Sequence, residues 1–379
     1  AWGGSDAWGS DAGCPAASRP DAGRPRPGSG RSGDVPAVTT VEHPVRAVVL
    51  VGGQGTRLRP LTLTTPKQML PVAGRPMIER VVAHLGAHGI SDVVLSLGYR
   101  PDAFLAAYPD GTCAGVGLHY AVEDHPLDTA GAIAFAARHA GIIEPFVVVN
   151  GDVVTGLDVA ALINLHRTRR AEATIALTPV DDPSAFGVVP TDGSGRVTAF
   201  IEKPPRDQAP TNLINAGTYV LEPSVLNLIV PGRPTSIERE TFPVLVGRGC
   251  LYAMASDAPW IDAGTPEAYR RINLSWAERY GGSVHPEAFV ADDACVERSV
   301  VGAGSVIAPG AVVTGSVLLD GVRVGPGAII TDAVIGYRGT IGAGAGVGEG
   351  SVLGDDAVID DGVMVAAGEV PGGPTQPPR

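Results

Sequence analysis

Residues 46–62 read RAVVLVGGQGTRLRPLT. After its first residue the run 46–51 is wholly apolar, and it leads directly into Gly52 and Gly53. An apolar run that ends in glycines is typical of a buried parallel strand feeding a loop at its carboxyl end. We therefore expect an ordered α/β domain to begin at Arg46.

Similar apolar runs recur further along the chain, and helical patterns separate them. Strands that alternate with helices predict an open, mostly parallel sheet with helices on both faces. In such sheets ligands bind beyond the carboxyl ends of the strands, which is where the glycines of residues 52–55 would lie. The further strands are expected at residues 93–97, 146–149 and 174–177, and the helices at 77–87, 130–140 and 159–169.

From about Val284 the pattern changes, because aliphatic residues recur every six positions. A period of six predicts a parallel β-helix, in which each aliphatic side chain stacks inside a triangular coil. Steps of five from Leu319 to Val324 and from Ile330 to Ile335 predict local irregularity. The two series with this spacing are Val301, Ile307, Val313, Leu319 and Ile335, Ile341, Val347, Leu353, Ile359, Val365.

The composition of the termini differs from that of the rest of the chain. Residues 1–43 are rich in Gly, Pro, Ser, Ala and Asp, so they cannot bury enough apolar surface to offset their ordering entropy. We expect a disordered tail over 1–43, an α/β domain over 44–265, a helical linker over 266–283, a β-helix over 284–370 and a disordered end over 371–379.

Charge and cysteine usage exclude several classes of function. The formal net charge of −12 argues against a nucleic-acid or membrane-surface partner, since such proteins are usually basic. No apolar run approaches the roughly 18 residues that span a bilayer. Cys14, Cys113, Cys250 and Cys295 are scattered and form no CxxC pair, which favours reduced thiols and a cytoplasmic location over a disulfide framework or zinc site.

The residues after the first strand have the character of a phosphate site. Gly52, Gly53 and Gly55 let the backbone approach a phosphate and offer it N–H donors. Arg57 can donate two hydrogen bonds to phosphate oxygens, and Lys67 adds a second positive charge. The Walker A pattern is absent. The structural alternative is a tight turn between strand and helix.

The sequence GGQGTRLRPLT, followed by PKQMLPV at 66–72, resembles the signature of the sugar-1-phosphate nucleotidyltransferases. The resemblance runs from residue 46 to about 370 and is strongest to mannose-1-phosphate guanylyltransferases that carry a C-terminal hexapeptide-repeat domain. It implies a Rossmann-like nucleotidyltransferase domain followed by a left-handed parallel β-helix. The nucleotide-binding residues that it implies are Gly52, Gly53, Gly55, Thr56, Arg57, Lys67, Pro126, Leu127, Asp128 and Thr129.

Two aspartates match the metal positions of that family. Asp152 ends the apolar run through NGD at 150–152, and Asp262 lies in WIDAGTP at 260–266. Mg²⁺ prefers hard oxygen ligands and is commonly held by one or two carboxylates plus substrate phosphates. The resemblance implies that Asp152 and Asp262 together hold Mg²⁺. Taken alone, an aspartate after a strand is also a common turn former or helix cap.

A second group of residues matches the sugar phosphate pocket. Glu202-Lys203-Pro204 resembles the family motif in which the lysine holds the phosphate of the sugar 1-phosphate and the glutamate binds sugar hydroxyls. Gly187 and Asn215 match further positions of the same pocket. The alternative for Glu202 and Lys203 is an exposed ion pair.

The segment EDHPLDTAG at 123–131 lies where the family has its nucleobase loop. The usual pattern is Pro-Leu-Gly-Thr, and this chain has Asp128 in place of the glycine. Glycine permits close approach of backbone to base, whereas a carboxylate could accept from the N–H groups of guanine or simply face solvent at a turn. Residues 236–240 resemble a segment of the guanylyl and mannosyl branch. The alternative is that the segment simply begins a helix, with Ser236 as its N-cap and Arg239 exposed.

The resemblance implies transfer of a nucleoside monophosphate from GTP to mannose 1-phosphate, which yields GDP-mannose and pyrophosphate. The catalytic residues implied are Arg57, Lys67, Asp152, Lys203 and Asp262. Alternatives on the same fold are glucose 1-phosphate with dTTP, UTP or ATP. The β-helix could instead be an acetyltransferase, although His285 is the only histidine after residue 281, or the chain could be a non-catalytic regulatory homologue. We expect the β-helix to mediate a homo-oligomer, because sheet edges are usually paired or covered.

Overall fold

A ten-stranded sheet organises the first part of the chain. The computed structural model describes residues 45–368, so the expectations for residues 1–43 and 371–379 lie outside the described residues. The strands of this part are β1 (Ala47–Leu50), β2 (Pro71–Val72), β3 (Arg75–Pro76), β4 (Asp92–Leu97), β5 (Thr112–Cys113), β6 (Val116–Val122), β7 (Phe146–Asn150), β8 (Val153–Thr155), β9 (Ala173–Pro179), β10 (Gly187–Val188), β11 (Ile201–Glu202), β12 (Leu213–Leu221), β13 (Leu251–Ala255) and β14 (Trp260–Asp262).

The sheet is parallel at its centre and antiparallel towards one edge. Its main path is β11-β10-β12-β7-β1-β4-β6-β5, in which β7, β1, β4 and β6 run parallel. β12 is antiparallel to both β7 and β9, so the expectation of a mostly parallel sheet was wrong for this side. The connections from β9 to β10 and from β11 to β12 contain only single 3-10 turns, Pro183–Ala185 and Arg206–Gln208, whereas a parallel neighbour needs a crossover connection, usually an α-helix.

Helices cover both faces of the sheet, as expected for an α/β domain. Alternate residues of β1 point to opposite sides: Val49 joins the cluster under α1 and α4, and Val48 joins the cluster under α3 and α5. None of the helices between residues 45 and 368 is long and apolar enough to cross a bilayer. The helices are α1 (Met77–Ala87), α2 (Pro101–Ala107), α3 (Asp128–His139), α4 (Val159–Arg169), α5 (Phe242–Arg248) and α6 (Pro266–Tyr280).

The last part of the chain is a stack of short parallel strands in three sheets, consistent with a left-handed β-helix. Phe289 pairs with Val306, Val306 with Arg323 and Arg323 with Thr340, so each of these coils takes 17 residues. The strands are β15 (Phe289–Val290), β16 (Cys295–Glu297), β17 (Val300–Val301), β18 (Val306–Ile307), β19 (Val312–Thr314), β20 (Val317–Leu318), β21 (Arg323–Val324), β22 (Ile329–Thr331), β23 (Val334–Ile335), β24 (Thr340–Ile341), β25 (Gly346–Val347), β26 (Val352–Leu353), β27 (Val358–Ile359) and β28 (Met364–Val365).

The short step of each 17-residue coil falls at one particular corner. Leu318, not Leu319, stacks inside the β-helix, so the five-residue step runs from Val313 to Leu318 rather than from Leu319 to Val324 as the spacing suggested. The step from Ile330 to Ile335 lies at the same corner, as expected. At this corner Gly315 (φ 60°) and Asp332 (φ 46°) adopt left-handed conformations.

The β-helix packs against the first domain along one wall. One sheet of the β-helix consists of β17, β20, β23 and β26, and its residues Val317 and Val334 point outward. They share a buried cluster with Tyr269 of α6 and with Leu58 and Leu61, which follow β1. α6, which lies in the segment expected to be a helical linker, therefore packs between the two parts. Polar contacts add to this wall, since the Arg270 guanidinium donates to Gly315 O at 2.6 Å and to Asp332 Oδ1 at 2.5 Å.

Candidate active site

A pocket of about 600 Å³ opens at the carboxyl ends of β1, β4, β6 and β7. All ten residues that were expected to bind the nucleotide line it, and so does Asp152. This is the edge at which ligands bind in sheets of this type. The expected nucleotide residues in its wall are Gly52, Gly53, Gly55, Thr56, Arg57, Lys67, Pro126, Leu127, Asp128 and Thr129.

The glycine loop is held by a contact that only glycine permits. Gly55 has φ 61°, and a Cβ there would lie 3.0 Å from Thr62 Cγ2 and 3.2 Å from Lys67 Cβ. Thr62 Oγ1 donates a hydrogen bond to Gly55 O at 2.8 Å. The tight turn that was the structural alternative is therefore present, and it is also what brings Lys67 beneath the loop.

Lys67 joins the two aspartates. Its Nζ lies 2.5 Å from Asp152 Oδ2 and 3.5 Å from Asp262 Oδ1, and its side chain is only 6% exposed. The carboxylates meet because β14 pairs antiparallel with β8, with Asp262 opposite Val153, and Ala263 N donates to Asp152 O at 3.0 Å. The pairing brings together two residues that are far apart in sequence.

The second carboxylate is half-buried, and its buried oxygen is incompletely satisfied. Burial raises the pKa of Asp262, the nearby Asp152 charge raises it further, and Lys67 and Arg57 oppose the shift. Among the described residues, Oδ1 of Asp262 accepts no hydrogen bond of good geometry, although Lys67 Nζ lies 3.5 Å away. Arg57 packs over Gly264, where a Cβ would lie 2.6 Å from Nη2. Gly264 thus makes room for a guanidinium beside the carboxylates.

These two carboxylates fit a divalent cation shared with a substrate. Residues 45–368 contain no cluster of three or more His, Cys, Asp or Glu side chains able to hold a metal. Mg²⁺ is commonly held by only one or two carboxylates, with substrate phosphates and water completing its shell. Oδ1 of Asp262 is a buried oxygen that accepts no well-formed hydrogen bond, and it lies next to the Asp152 carboxylate, so the two side chains provide ligands of this kind.

The expected sugar residues lie on the antiparallel strands next to β7. Gly187 pairs with Glu202, and a Cβ on Gly187 would meet the Phe200 ring at 2.7 Å. Lys203 has φ 48°, and its exposed Nζ lies 3.6 Å from Glu202 Oε1, so the exposed ion pair that was the alternative is present in this structure. Asn215 donates to Tyr219 Oη at 2.8 Å and accepts from Gly217 N at 2.9 Å.

Asp128 takes the place of the glycine in the family's Pro-Leu-Gly-Thr pattern, and this replacement has a local structural consequence. Asp128 adopts φ 57°, a left-handed conformation that glycine takes without strain and that aspartate tolerates. Its Oδ1 accepts from Thr129 N at 2.7 Å, and its Oδ2 lies 3.3 Å from Arg239 Nη2. The carboxylate is therefore held by the first turn of α3 and by an arginine.

The segment at 236–240 supports the nucleobase loop, which the sequence did not predict. Ser236 caps a π-helical turn over Ile237–Thr241 by accepting from Arg239 N at 3.2 Å, and Arg239 is exposed, as the capping alternative expected. Thr129 Oγ1 donates to Glu238 Oε2 at 2.9 Å and accepts from Ile237 N at 2.8 Å. The segment thus anchors the start of α3 across a gap of more than 100 residues.

Glu123 is a further pocket residue that the sequence analysis did not assign. It follows β6 directly, and its carboxylate accepts from Ser96 Oγ at 3.0 Å and from Leu127 N at 3.2 Å. The available signal was its position, because a carboxylate that immediately follows a buried parallel strand lies at the ligand-binding edge of the sheet.

Comparison with known proteins finds a matching family for each of the two parts of the chain. Residues 46–279 match the family described as Nucleotidyl transferase, and residues 282–372 match the family described as GMPPB C-terminal domain. The sequence is 43% identical over 282 residues to the mannose-1-phosphate guanylyltransferase of Mycobacterium tuberculosis, covering 71% of this chain and 78% of that protein. It is 40% identical over 273 residues to the mannose-1-phosphate guanyltransferase of Yarrowia lipolytica, covering 70% and 72%.

Solved structures resemble the first domain. The crystal structure of HddC from Yersinia pseudotuberculosis complexed with GMP-PN superposes with a TM-score of 0.54 at 28% identity, covering 61% of this chain and 99% of that chain. A putative glucose-1-phosphate thymidylyltransferase from Bacillus anthracis, solved with sucrose, has the same TM-score at 27% identity, covering 61% and 94%.

Proposed function

This chain belongs to the nucleotidyltransferase family, and on that premise we propose that it transfers GMP from GTP to mannose 1-phosphate, forming GDP-mannose and pyrophosphate. The observation that carries the proposal is the convergence of Arg57, Lys67, Asp152 and Asp262 at one end of the pocket. Relatives that bear the name mannose-1-phosphate guanylyltransferase support this choice of substrates.

The reaction is an in-line displacement at phosphorus. A phosphate oxygen of the sugar 1-phosphate attacks the α-phosphorus of GTP, a new P–O bond forms, and the bond to the β-phosphate oxygen breaks. Pyrophosphate leaves with that electron pair. The nucleophile is already an anion, so the protein contributes positioning and charge stabilisation rather than a general base.

Each cation has a distinct place in this scheme. Arg57 and Lys67 lie at the glycine loop, where they stabilise the charge that develops on the leaving pyrophosphate. Lys203, on the side of β10 and β11, holds the attacking phosphate, while Glu202 and Asn215 accept from or donate to sugar hydroxyls. The ion pair between Lys203 and Glu202 would open when the sugar phosphate binds.

Nucleotidyltransferases generally use a divalent metal, and we propose Mg²⁺ for this chain. Asp152 and Asp262 are the residues that would hold it. When bound, the metal neutralises phosphate charge in the transition state and helps to align the two substrates. The pocket residues then keep the phosphates in place and exclude bulk water from the reacting atoms.

A substrate panel tests the proposal. Each of GTP, dTTP, UTP and ATP would be paired with mannose 1-phosphate and with glucose 1-phosphate, and pyrophosphate release would be measured. We expect GTP with mannose 1-phosphate to give the highest kcat/KM. Faster turnover of glucose 1-phosphate with any of these nucleotides would show that this pair, and not GTP with mannose 1-phosphate, is the substrate pair. Absence of turnover with every pair, in folded protein, would favour a non-catalytic regulatory homologue.

The two aspartates provide a sharper test of the site. We expect Asp152→Asn and Asp262→Asn each to lower kcat by at least a hundredfold, because an amide is a much weaker ligand for Mg²⁺ than a carboxylate. Asp110→Asn, at an exposed turn, is the matched control and should keep wild-type kcat. Thermal unfolding checks that each variant is folded. Near-wild-type turnover of either aspartate variant at saturating Mg²⁺ would remove that residue from the metal site.

We also propose that the protein works in the cytoplasm as a homo-oligomer assembled through its β-helix. Cys113, Cys250 and Cys295 are free thiols in the described part of the chain, which suits a reducing compartment. Large apolar side chains of the β-helix are exposed, including Ile329 (52%) and Met364 (72%) on the outer face of one sheet. Exposed apolar patches commonly mark contact surfaces.

A further inference from the structure

The segment at 60–66 lies against the β-helix. It leads from the glycine loop to the buried lysine of the site, and we call it the connecting segment. Its Leu61 shares a buried cluster with Val352 of β26. A Cβ on Gly354, at the corner just after β26, would lie 3.1 Å from Pro60 Cβ. Because Gly354 has no side chain, this corner can approach the segment closely, and the β-helix supports it from below.

One hydrogen bond also joins the connecting segment to this corner. Thr64 Oγ1 donates to Asp355 Oδ2 at 2.5 Å, while Asp355 Oδ1 accepts from Tyr337 N at 3.0 Å in the preceding coil. Asp320 follows another strand of the same sheet, two coils earlier, and accepts from Ala303 N at 2.9 Å. Among the described residues, Asp320 makes no hydrogen bond to the first domain. The corner therefore needs only one carboxylate oxygen, and the bond to Thr64 is additional.

The first domain contributes a second anchor at the same point. Arg100, in the loop after β4, donates from Nη1 to Leu63 O at 3.4 Å and to Thr64 O. Two residues earlier, Thr62 Oγ1 donates to Gly55 O at 2.8 Å. The position of the glycine loop thus depends on the connecting segment, and the segment is held at Thr64 by both parts of the chain.

A shift of this segment would be felt by the phosphate contacts. Lys67 follows it directly, and a Cβ on Gly55 would lie only 3.2 Å from Lys67 Cβ. The Lys67 ammonium lies between Asp152 and Asp262. Small displacements of such groups lower the rate strongly, because catalysis by positioning needs exact geometry. The expected sugar residues lie on β10, β11 and β12, on the other side of β7 from β4, so they do not depend on this segment.

We propose that Asp355 of the β-helix is a positioning residue for the nucleotide. Through Thr64 it holds the connecting segment, which sets Lys67 and the glycine loop against the β- and γ-phosphates of GTP. This inference rests on the proposed function, and it gives the β-helix a part in substrate binding besides assembly. Asp355 itself touches no substrate.

Equilibrium binding of GTP and of GMP to the full chain, with Mg²⁺ and without sugar phosphate, tests the proposal. GMP lacks the two phosphates that Lys67 and Arg57 would contact. Thr64 is exposed, so Thr64→Val removes the donor, nearly keeps the shape and leaves the corner bond of Asp355 in place. We expect it to weaken GTP binding by roughly threefold to tenfold, the size of one hydrogen bond.

The same variant should leave GMP binding and KM for mannose 1-phosphate unchanged. Thr64→Ser keeps the hydroxyl and should restore wild-type affinity for GTP. Asp355→Ala should weaken GTP binding as much as Thr64→Val, and the double variant should lose no more than either single variant, since both remove one bond. Asp320→Ala is the matched control: it removes the equivalent corner bond and should keep the wild-type ratio of GTP to GMP affinity.

Thermal unfolding separates a folding defect from a change in binding. If Asp355→Ala does not fold, the comparison of Thr64→Val with Thr64→Ser decides. An unchanged ratio of GTP to GMP affinity in folded Thr64→Val would overturn the proposal. Equal weakening of both nucleotides would also overturn it, because the effect would then not be confined to the β- and γ-phosphates.

Failure of the proposed function would give a different result. Wild-type protein that binds UTP, dTTP or ATP more tightly than GTP would contradict the choice of GTP. The Thr64 variants would then be compared with that triphosphate and its monophosphate, and the same change in ratio would still support the role of Asp355. An unchanged ratio would overturn that role as well.

Discussion

The chain contains only two lysines against 26 arginines, and both lysines lie at proposed phosphate contacts. Lys67 is buried between Asp152 and Asp262, whereas the Lys203 side chain is 64% exposed. Lysine is a compact point charge, and arginine is a planar fork. Two of the three cations that face phosphate in this proposal, Lys67 and Lys203, therefore carry the point charge, and they differ in how easily solvent reaches them.

At this scale the two phosphate sites can be told apart by kinetics. We expect Lys203→Ala to raise KM for mannose 1-phosphate at least tenfold with a much smaller change in KM for GTP. Arg57→Ala should raise KM for GTP or lower kcat, because Arg57 lies at the glycine loop beside Gly264. Arg206→Ala, an exposed cation near Lys203, is the control. The reverse pattern would mean that the two sites are exchanged.

His84 gives a prediction for the pH dependence of stability. Burial, with a smaller contribution from the neighbouring His88, lowers the pKa of His84 from 6.5 to about 4. The unfolded chain then takes up a proton below pH 6.5 and the folded chain does not, so the free energy of unfolding falls as pH drops from 6.5 to 4. His84→Gln removes this linkage, worth roughly 1 kcal/mol per pH unit.

Urea denaturation at pH 7 and at pH 5 measures this linkage. The free energy of unfolding of the wild type should fall more steeply with acidification than that of His84→Gln. The exposed His139→Gln variant should follow the wild type. Parallel curves for the wild type and His84→Gln would contradict the shifted pKa.

Much of the site followed from single motifs, but its connections did not. The ten residues that were expected to bind the nucleotide all line the pocket, and they could be predicted as a set because they lie in two short segments, 52–67 and 126–129. The support of Thr129 by Glu238, and the pairing of Asp128 with Arg239, join segments more than 100 residues apart. Such contacts depend on how α3 is seated against the turn at 237–241, which no local pattern encodes.

At the scale of helices and strands, local sequence patterns predicted some bounds correctly but not strand direction or register. The bounds of α1 and α4 agree with the sequence prediction. The apolar residues of α1 repeat with a clear helical period, and the buried residues of α4 also follow helical spacing. The antiparallel strands were missed because strand direction depends on the connection, and the segment between β9 and β12 carries no crossover helix. The register at Leu318 was missed by one residue because Val317, Leu318 and Leu319 are all apolar, with buried positions on both sides of the coil wall.

Adjacent isoleucines in β22 test this register. Ile330 is fully buried inside the β-helix, and Ile329 is 52% exposed on its outer face. We expect Ile330→Ala to lower the free energy of unfolding by about 2–5 kcal/mol through loss of burial and creation of a cavity. At protein concentrations low enough to dissociate the proposed oligomer, Ile329→Ala should change it by less than about 1 kcal/mol. Chemical denaturation of the two variants measures the difference, and equal losses would mean that the register is wrong.

At the scale of the whole molecule, the β-helix offers an outer sheet face that can receive another subunit. We expect Ile329→Glu to lower the molar mass measured by light scattering towards that of a single chain, because a charge would be buried at the contact. Val230→Glu, at a position 56% exposed on the first domain, is the control and should keep the wild-type mass. Wild-type protein that already runs as a single chain of 38.7 kDa would contradict assembly through this face.

The wall between the two parts of the chain has a consequence for how the protein denatures. Leu58, Leu61 and Leu70 of the glycine-loop region share one buried cluster with Val317 and Val334 of the β-helix. Neither part can melt without exposing apolar surface of the other to water, and that penalty couples the two. Scanning calorimetry should therefore record a single heat-absorption peak whose calorimetric and van't Hoff enthalpies agree, rather than two separate transitions.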